Sequence, residues 1–241
     1  MLNVKELEKY SRQTIFDKIG SQGQIKLKYK KVAIVGLGAL GTTTSQLLAR
    51  AGVGHIKMID SDLVEESNLQ RQTLFTEKDI GRSKSLAAKK KLELINSTIK
   101  IEAINEHLEK NNLSYLKGTD LVLDCTDNLD TRLLINDFCK KEKILWIYSA
   151  CVKTSGYVMP IFPEGPCLRC FLKEAKLDSA CTIGVINTIP ISISALQVTL
   201  AIKILTEKKI KPELFYYNIW TPELKKLKIN HSCDLCHKTQ A

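Results

Sequence analysis

Three glycines, Gly36, Gly38 and Gly41, follow the apolar run Lys31–Val35 and open a helical stretch. Glycines at this spacing let a backbone turn tightly and approach a phosphate, whose charge meets the N-terminus of the helix. Asp60 stands beyond Gly41, at the end of the next apolar run. A carboxylate there accepts hydrogen bonds from ribose hydroxyls, which a dinucleotide and ATP offer alike. A tight structural turn with no ligand would need the same glycines.

The polar residues after Asp60 carry further chemistry. Asp62, Asn68, Arg71, Gln72 and Lys84 follow within a short span. Arg71 and Lys84 are the basic groups that a polyphosphate needs, and Asn68 and Gln72 add neutral hydrogen bonds. Asp127 and Asn128 come just after the apolar run Leu121–Cys125. A carboxylate at the carboxyl end of a parallel strand is placed to hold Mg²⁺ against phosphate oxygens. Each residue also has a plainer reading: Arg71 and Lys84 as surface charge, Asp127 as a helix N-cap.

Eight cysteines are many for a chain of 241 residues. Four form two C-x-x-C pairs, Cys167/Cys170 and Cys233/Cys236, which lie far apart in the sequence. Two such pairs suggest structural Zn²⁺ held by four thiolates, with a redox-active or metal-free arrangement as the alternative. Cys181 is unpaired in the sequence. On an exposed connection its thiolate would be a competent nucleophile; buried, it would be inert. Cys125, Cys139 and Cys151 fall in or beside core elements and read as structural.

The elements that must position these residues alternate. The segment Met1–Lys30 reads as helical, with Leu7, Tyr10, Phe16 and Ile19 as packing candidates. Strands are expected near Lys31–Val35, His55–Asp60, Ile99–Ile104, Leu121–Cys125 and Ile144–Tyr148. Helices are expected near Leu40–Arg50, Lys84–Asn96 (Leu86, Leu92 and Ile95 apolar) and Leu129–Lys140. This predicts an α/β fold: a Rossmann-like, mostly parallel sheet flanked by helices, with a C-terminal zinc-stapled extension. Beyond Lys153 the pattern gives an extended or hairpin segment Thr154–Phe162, a helix Ser194–Leu205 and a late strand Leu214–Trp220 at or near an edge. We divide the single domain 1–241 into a helical segment 1–30, a nucleotide-binding core 31–150, and a portion 151–241 for crossover, zinc knuckle and partner contacts.

Bulk properties narrow the class. Apolar residues make up 44% of the chain, enough for a full core. No charge-free apolar run reaches the length of a membrane helix, and the segment Met1–Gly20 is largely polar. No membrane span or secretion signal is therefore expected, and a cytoplasmic location is the default. The net charge of +10 comes from 36 Lys and Arg against 26 Asp and Glu. It is spread thinly, with short clusters at Lys26–Lys31 and Leu224–Lys228, which favours an acidic protein or an anionic nucleotide over nucleic acid as partner.

Taken in order, Tyr10-Ser-Arg12-Gln13, the glycine triplet, Asp60-x-Asp62, Asn68-Leu-Gln-Arg71-Gln72, Asp79-Ile-Gly-x-x-Lys84, Asp124-Cys-Thr-Asp127-Asn128, both C-x-x-C pairs and Ala195-Leu-Gln197 form a specific combination. With them the chain resembles the ThiF/MoeB/HesA adenylyltransferases, relatives of the ubiquitin-activating enzymes, over almost its whole length. The resemblance implies ATP-dependent adenylation of the C-terminal Gly-Gly carboxylate of a small ubiquitin-like sulfur carrier, with release of pyrophosphate, in thiamine or molybdopterin cofactor biosynthesis. It implies a ribose contact at Asp60, phosphate contacts at Asn68, Arg71 and Lys84, Mg²⁺ at Asp127, and structural Zn²⁺ at the cysteine pairs. Arg12 resembles an arginine that reaches into the partner subunit's site, which implies a homodimer. Cys181 resembles a cysteine that links covalently to the activated carrier or takes part in sulfur transfer. No rhodanese-like domain follows the second cysteine pair, so a separate sulfur donor such as a cysteine desulfurase is expected.

The segment Gly184–Ser194 departs from the pattern, with Asn187, Ile191 and Ser194 where the family commonly has glycine. That bears on which carboxylate is used. Activation of a peptide or another carboxylate therefore stays open. An NAD-dependent oxidoreductase is a weaker alternative, since it leaves Asn68–Gln72, Lys84 and Asp127 without a role. A non-catalytic scaffold conflicts with the joint presence of Arg12 and the nucleotide residues.

Overall fold

A computed structural model describes residues 2–174, 184–207, 209–230, 233 and 236. The chain opens with helices α1 (Val4–Lys9), α2 (Ser11–Thr14) and α3 (Gly20–Tyr29). It continues through β1 (Lys31–Val35), α4 (Ala39–Ala51), β2 (His55–Ile59), α5 (Lys84–Ile95), β3 (Lys100–Ile104), β4 (Leu121–Asp124), α6 (Leu129–Lys141) and β5 (Trp146–Val152). After β6 (Ser155–Ile161) come α7 (Leu168–Glu174), α8 (Thr188–Leu205), β7 (Glu213–Asn218) and β8 (Glu223–Lys228). These strands join one sheet in the order β3-β2-β1-β4-β5-β6-β7-β8. The first five run parallel and the last three are added antiparallel. The expected mostly parallel α/β sheet is therefore present.

The central strands β1 and β4 are buried on both faces, as their near-continuous Val/Ile/Leu runs require. Val32 and Ile34 of β1 face a cluster containing Leu48, Leu92, Ile193 and Val198, from α4, α5 and α8. Ala33 and Val35 face the other way, onto Ile135 and Cys139 of α6, Leu168 of α7 and the four paired cysteines. Strand order reverses between β1 and β4, and their carboxyl ends open the crevice where ligands gather in such sheets.

Several expectations need correction. Helix α8 begins at Thr188, ahead of the expected start at Ser194. Pro190 lies in its first turn, where the missing N–H costs nothing. This helix is long and apolar enough to cross a membrane, with a mean hydropathy of 1.6 and half of the span buried. Its buried side, including Ile189, Ile193, Gln197 and Ala201, makes it a core helix of the domain. Strand β5 starts at Trp146 and not Ile144, and runs on past Tyr148, because its pairing with β6 extends to Val152. The lysine cluster near 224–228 is itself the edge strand β8, and β7 lies one strand inside it. Of the N-terminal packing candidates Tyr10 is buried, while Leu7 and Phe16 are exposed, as is Leu86 on α5.

Candidate active site

The site is built from the turns at the carboxyl ends of β2, β1 and β4, which lie side by side in the sheet. Two backbone bonds lock these turns together: Gly36 N–H donates to Ile59 O at 2.9 Å, and Cys125 N–H to Val35 O at 2.8 Å. The three glycines serve different ends. Gly36 has φ of +88°, and a Cβ there would come within 2.7 Å of Cys125 O. A Cβ at Gly41 would lie 1.9 Å from Gly36 O. Those two are required by close backbone approach. At Gly38 a Cβ would meet only Gln72 Nε2, at 3.9 Å. Gly38 is the N-cap of α4, so the loop's open backbone faces the crevice at a helix N-terminus, which suits an anion.

Asp60 is tied to this loop. Its Oδ2 accepts from Leu37 N–H at 2.6 Å, and its Oδ1 from Asp62 N–H at 2.8 Å. Burial pushes the Asp60 carboxyl above the ordinary range, against the pull of those two N–H groups and of Lys84. Gln72 is buried, and its Oε1 has no hydrogen-bond partner among the described residues. Lys84 is also buried, and its Nζ donates to Asp62 Oδ2 at 2.8 Å, while the Asp62 side chain is 65% exposed. Arg71 is half-buried and donates from Nη1 to Ser67 O at 3.0 Å. Asn68 is buried in the short helical turn Glu66–Asn68, where its amide engages Ser67 and Glu65. The open loop and the two cations together fit the anionic phosphates of a nucleotide, while the orphaned Gln72 amide oxygen is an acceptor and fits a hydroxyl or amino donor.

Asp127 is exposed just beyond β4, and its carboxylate is the hard oxygen donor that Mg²⁺ takes. It is not the N-cap of α6. That place belongs to Asn128, whose Oδ1 accepts from Thr131 N–H at 2.9 Å.

Three residues of this region carry structure that their sequence did not reveal. Asp124 is fully buried, and its Oδ1 accepts from Thr126 N–H at 2.9 Å and Thr126 Oγ1 at 2.7 Å. Burial drives its carboxyl upward, opposed by Arg132. Arg132 sits over the Tyr148 ring at 5.4 Å. Gln197 of α8 is fully buried and receives Thr44 Oγ1 at 2.9 Å on its Oε1, while its Nε2 donates to Asp124 O at 3.0 Å. Gln197 appeared in the sequence only as part of a motif, and nothing marked it as a hub.

Arg12 is not brought to the crevice of its own chain. It is exposed on α2, and its neighbour Gln13 donates to Ala51 O at the C-terminal end of α4. The glycine loop caps the other end of that helix, about 20 Å away for 13 residues. Cys181 lies outside the described residues.

The cysteine pairs do meet. Cys167, Cys170, Cys233 and Cys236 are buried, with all four sulfurs within 4.8 Å of one another. The Cys167–Cys233 and Cys170–Cys233 sulfur separations are 3.4 Å, and Cys170–Cys236 is 3.6 Å. A tetrahedron with metal–sulfur bonds of ~2.3 Å has edges of about 3.8 Å, so the cluster fits a Zn²⁺ ion.

Comparison with known proteins identifies the family and relates the fold. A sequence model of the ThiF family matches residues 10–238. The sulfur carrier protein ThiS adenylyltransferase of Bacillus subtilis (strain 168) is 38% identical over 221 residues, covering 89% of this chain and 66% of that protein. The SAMP-activating enzyme E1 of Haloferax volcanii is 34% identical over 244 residues, covering 98% of this chain and 90% of that protein. In fold, the chain is similar to E. coli MccB solved with ATP, with a TM-score of 0.83 at 23% identity, covering 95% of this chain and 74% of that one.

Proposed function

The chain belongs to the ThiF family, among whose relatives are proteins named as adenylyltransferases, and from that premise we propose that it uses ATP to adenylate the C-terminal carboxylate of a small polypeptide. The observation that carries the reading is the joining of the open Gly38 backbone, the Asp60 carboxylate and the Asp62-held Lys84 ammonium around one crevice. Asp60 holds the ribose. Arg71 and Lys84 bind the phosphates, with Asn68 and Gln72 adding hydrogen bonds. The incoming carboxylate is already a nucleophile, so no side-chain base is needed. Its oxygen forms a bond to the α-phosphorus as the α–β phosphoanhydride bond breaks, and pyrophosphate leaves with the electron pair. The chain's own contribution is positioning and charge stabilisation. Mg²⁺ bound at Asp127 supplies neutralisation of phosphate charge.

Two polypeptide classes fit. A sulfur carrier ending in Gly-Gly is favoured by relatives named as sulfur carrier protein adenylyltransferases, one of them, from Thermus thermophilus, covered over 91% of its length. A peptide substrate is favoured by Asn187 and Ile191, which are exposed at the start of α8 where small glycines would leave more room. A homodimer is supported by the resemblance of Arg12 to an arginine that acts in a partner subunit's site, and its exposed place on α2, away from its own crevice, suits that role. In the carrier reading, sulfur comes from a separate donor such as a cysteine desulfurase, and Cys181 serves its transfer.

ATP–pyrophosphate exchange tests this with two substrates, a Gly-Gly carrier and a peptide with a free C-terminus. Exchange stimulated by one of them selects the class; exchange with neither removes the polypeptide reading. Arg71→Ala and Asp127→Ala should each abolish exchange. Cys181→Ala should leave it intact and block thiocarboxylate formation.

A further inference from the structure

The turn that carries Asp127 is clamped from beneath. Arg132, one turn into α6, donates from Nη2 to Thr126 O at 2.5 Å. Its guanidinium lies over the Tyr148 ring and faces the fully buried Asp124 carboxylate, with Nε 3.6 Å from Oδ2. That carboxylate grips the same residue from the other side, through Thr126 N–H and Oγ1. Thr126 is therefore held at its N–H, its hydroxyl and its carbonyl by two oppositely charged groups. The Arg132 side chain is only 12% exposed, so this is an interior pair and not a surface ion pair.

Interior ion pairs are seldom present for stability alone, because desolvation offsets most of their attraction. This one is also incompletely satisfied: Asp124 Oδ2 and Arg132 Nε both lack hydrogen-bond partners among the described residues. A pair optimised for stability would close that gap. The groups are instead directed at Thr126, the residue directly before Asp127. A planar guanidinium can hold a carbonyl, stack on a ring and face a carboxylate at once, which an ammonium cannot.

We propose that Arg132 is a positioning residue for the adenylation reaction: it fixes the Thr126–Asp127 turn so that the Asp127 carboxylate meets the cation-bound phosphates of ATP. The assignment rests on the adenylation reading for its purpose, and on Thr126 and Asp124 for its mechanism.

Arg132→Met and Arg132→Lys test it in the zinc-loaded full chain. Groups that orient a cation's ligands typically matter about 10–100-fold. Arg132→Met should weaken Mn·ATP binding by about 10-fold, lower kcat for exchange by about 10–100-fold and leave KM for the carboxylate substrate unchanged. Amide hydrogen exchange at Thr126–Asn128 should quicken in the ligand-free protein, while zinc content stays that of the parent. Arg132→Lys should recover only part of each effect. If Arg132→Met fails to fold, Thr126→Val, which loses only the hydroxyl held by Asp124, should move the same readouts in the same direction. Unchanged exchange at the turn, full rescue by lysine, or a rise in KM for the carboxylate substrate alone would overturn the assignment. A parent protein that binds Mn·ATP but exchanges pyrophosphate with no carboxylate would sink the adenylation reading, and the turn's hydrogen exchange would still decide what Arg132 does.

Discussion

Replacing Gln197 by leucine removes one buried amide of nearly equal volume, and the contacts it loses can be counted. Nε2 donates to Asp124 O at 3.0 Å and to Ile147 O at 3.3 Å, while Oε1 receives Thr44 Oγ1 at 2.9 Å and the Cys125 thiol at 3.5 Å. Asp124 O keeps a second donor, Ser149 Oγ at 2.7 Å, so its loss is small. The Thr44 hydroxyl is buried in α4 and loses the amide oxygen that accepts from it. Each neutral buried hydrogen bond is worth about 1 kcal/mol, more where a polar group is orphaned. The thiol contact adds little. Better burial by leucine offsets part of the total, leaving a destabilisation of about 2–3 kcal/mol. For a domain of this size each kcal/mol moves Tm by about 2–4 °C. Thermal unfolding of the zinc-loaded protein should therefore shift down by about 5–10 °C. Gln197→Glu should be worse, since it buries a carboxylate against carbonyl oxygens. A Gln197→Leu protein within about 0.5 kcal/mol of the parent would refute the view that this amide ties α8 to α4 and the end of β4.

The glycine triplet should separate by position. Gly38→Ala, with open space at its Cβ, should fold and lose nucleotide affinity, whereas Gly36→Ala and Gly41→Ala should lose soluble folded protein, as judged by circular dichroism and zinc content. Acidification should weaken nucleotide binding before it unfolds the chain. Asp60 is raised by burial, so it takes up a proton at a higher pH than an ordinary aspartate. A folded-state value above the unfolded one means that falling pH favours the folded state through this group, while a protonated carboxyl is a poorer acceptor for ribose hydroxyls. Titration calorimetry across that range should show affinity falling, with no loss of Tm through Asp60. An affinity independent of pH there would count against the ribose contact.

What the sequence disclosed depended on how local the cause was. The glycine loop was legible because its steric demands lie within a few residues, and Asp60 because strand length fixes where a strand ends. The four cysteines were legible because thiolates in two pairs have few uses. The start of α8 was hidden by Pro190, which breaks a helix anywhere except its first turn. Strand β8 was hidden because its Leu224 and Leu227 are outnumbered by lysines, a composition that also protects an edge from further pairing. Tyr10 is buried and Leu7 exposed, and the Tyr10 hydroxyl oxygen accepts from Asn96 Nδ2 at 2.8 Å, a partner 86 residues away. Asp124, Arg132 and Gln197 have the same character. Their importance lies in contacts between elements, and residue type alone does not announce it.

Helix α6 links the two parts of the molecule that those long-range contacts build. Its first turn serves the nucleotide side, through the Asn128 cap and Arg132. Its last two turns serve the cysteine side. Asn136 Oδ1 accepts from Leu168 N–H at 2.9 Å, Asp137 pairs with Arg169 through two bonds of 2.9 and 2.6 Å, and the buried Lys140 Nζ donates to the carbonyls of Phe162, Pro163 and Gly165. Three donors meet three acceptors, so the ammonium of Lys140 is fully used. These bonds order the loop into Cys167 and Cys170 without any metal. Cys233 and Cys236 join the sulfur cluster, and Cys236 Sγ also lies 3.8 Å from Gly165 O. Chelation should therefore act unevenly. With metal removed by a chelator, amide exchange should rise around Cys233 and Cys236, while Leu168 N–H keeps its protection through Asn136. Equal loss of protection at both cysteine pairs would mean that the metal, and not α6, builds the first half of the site.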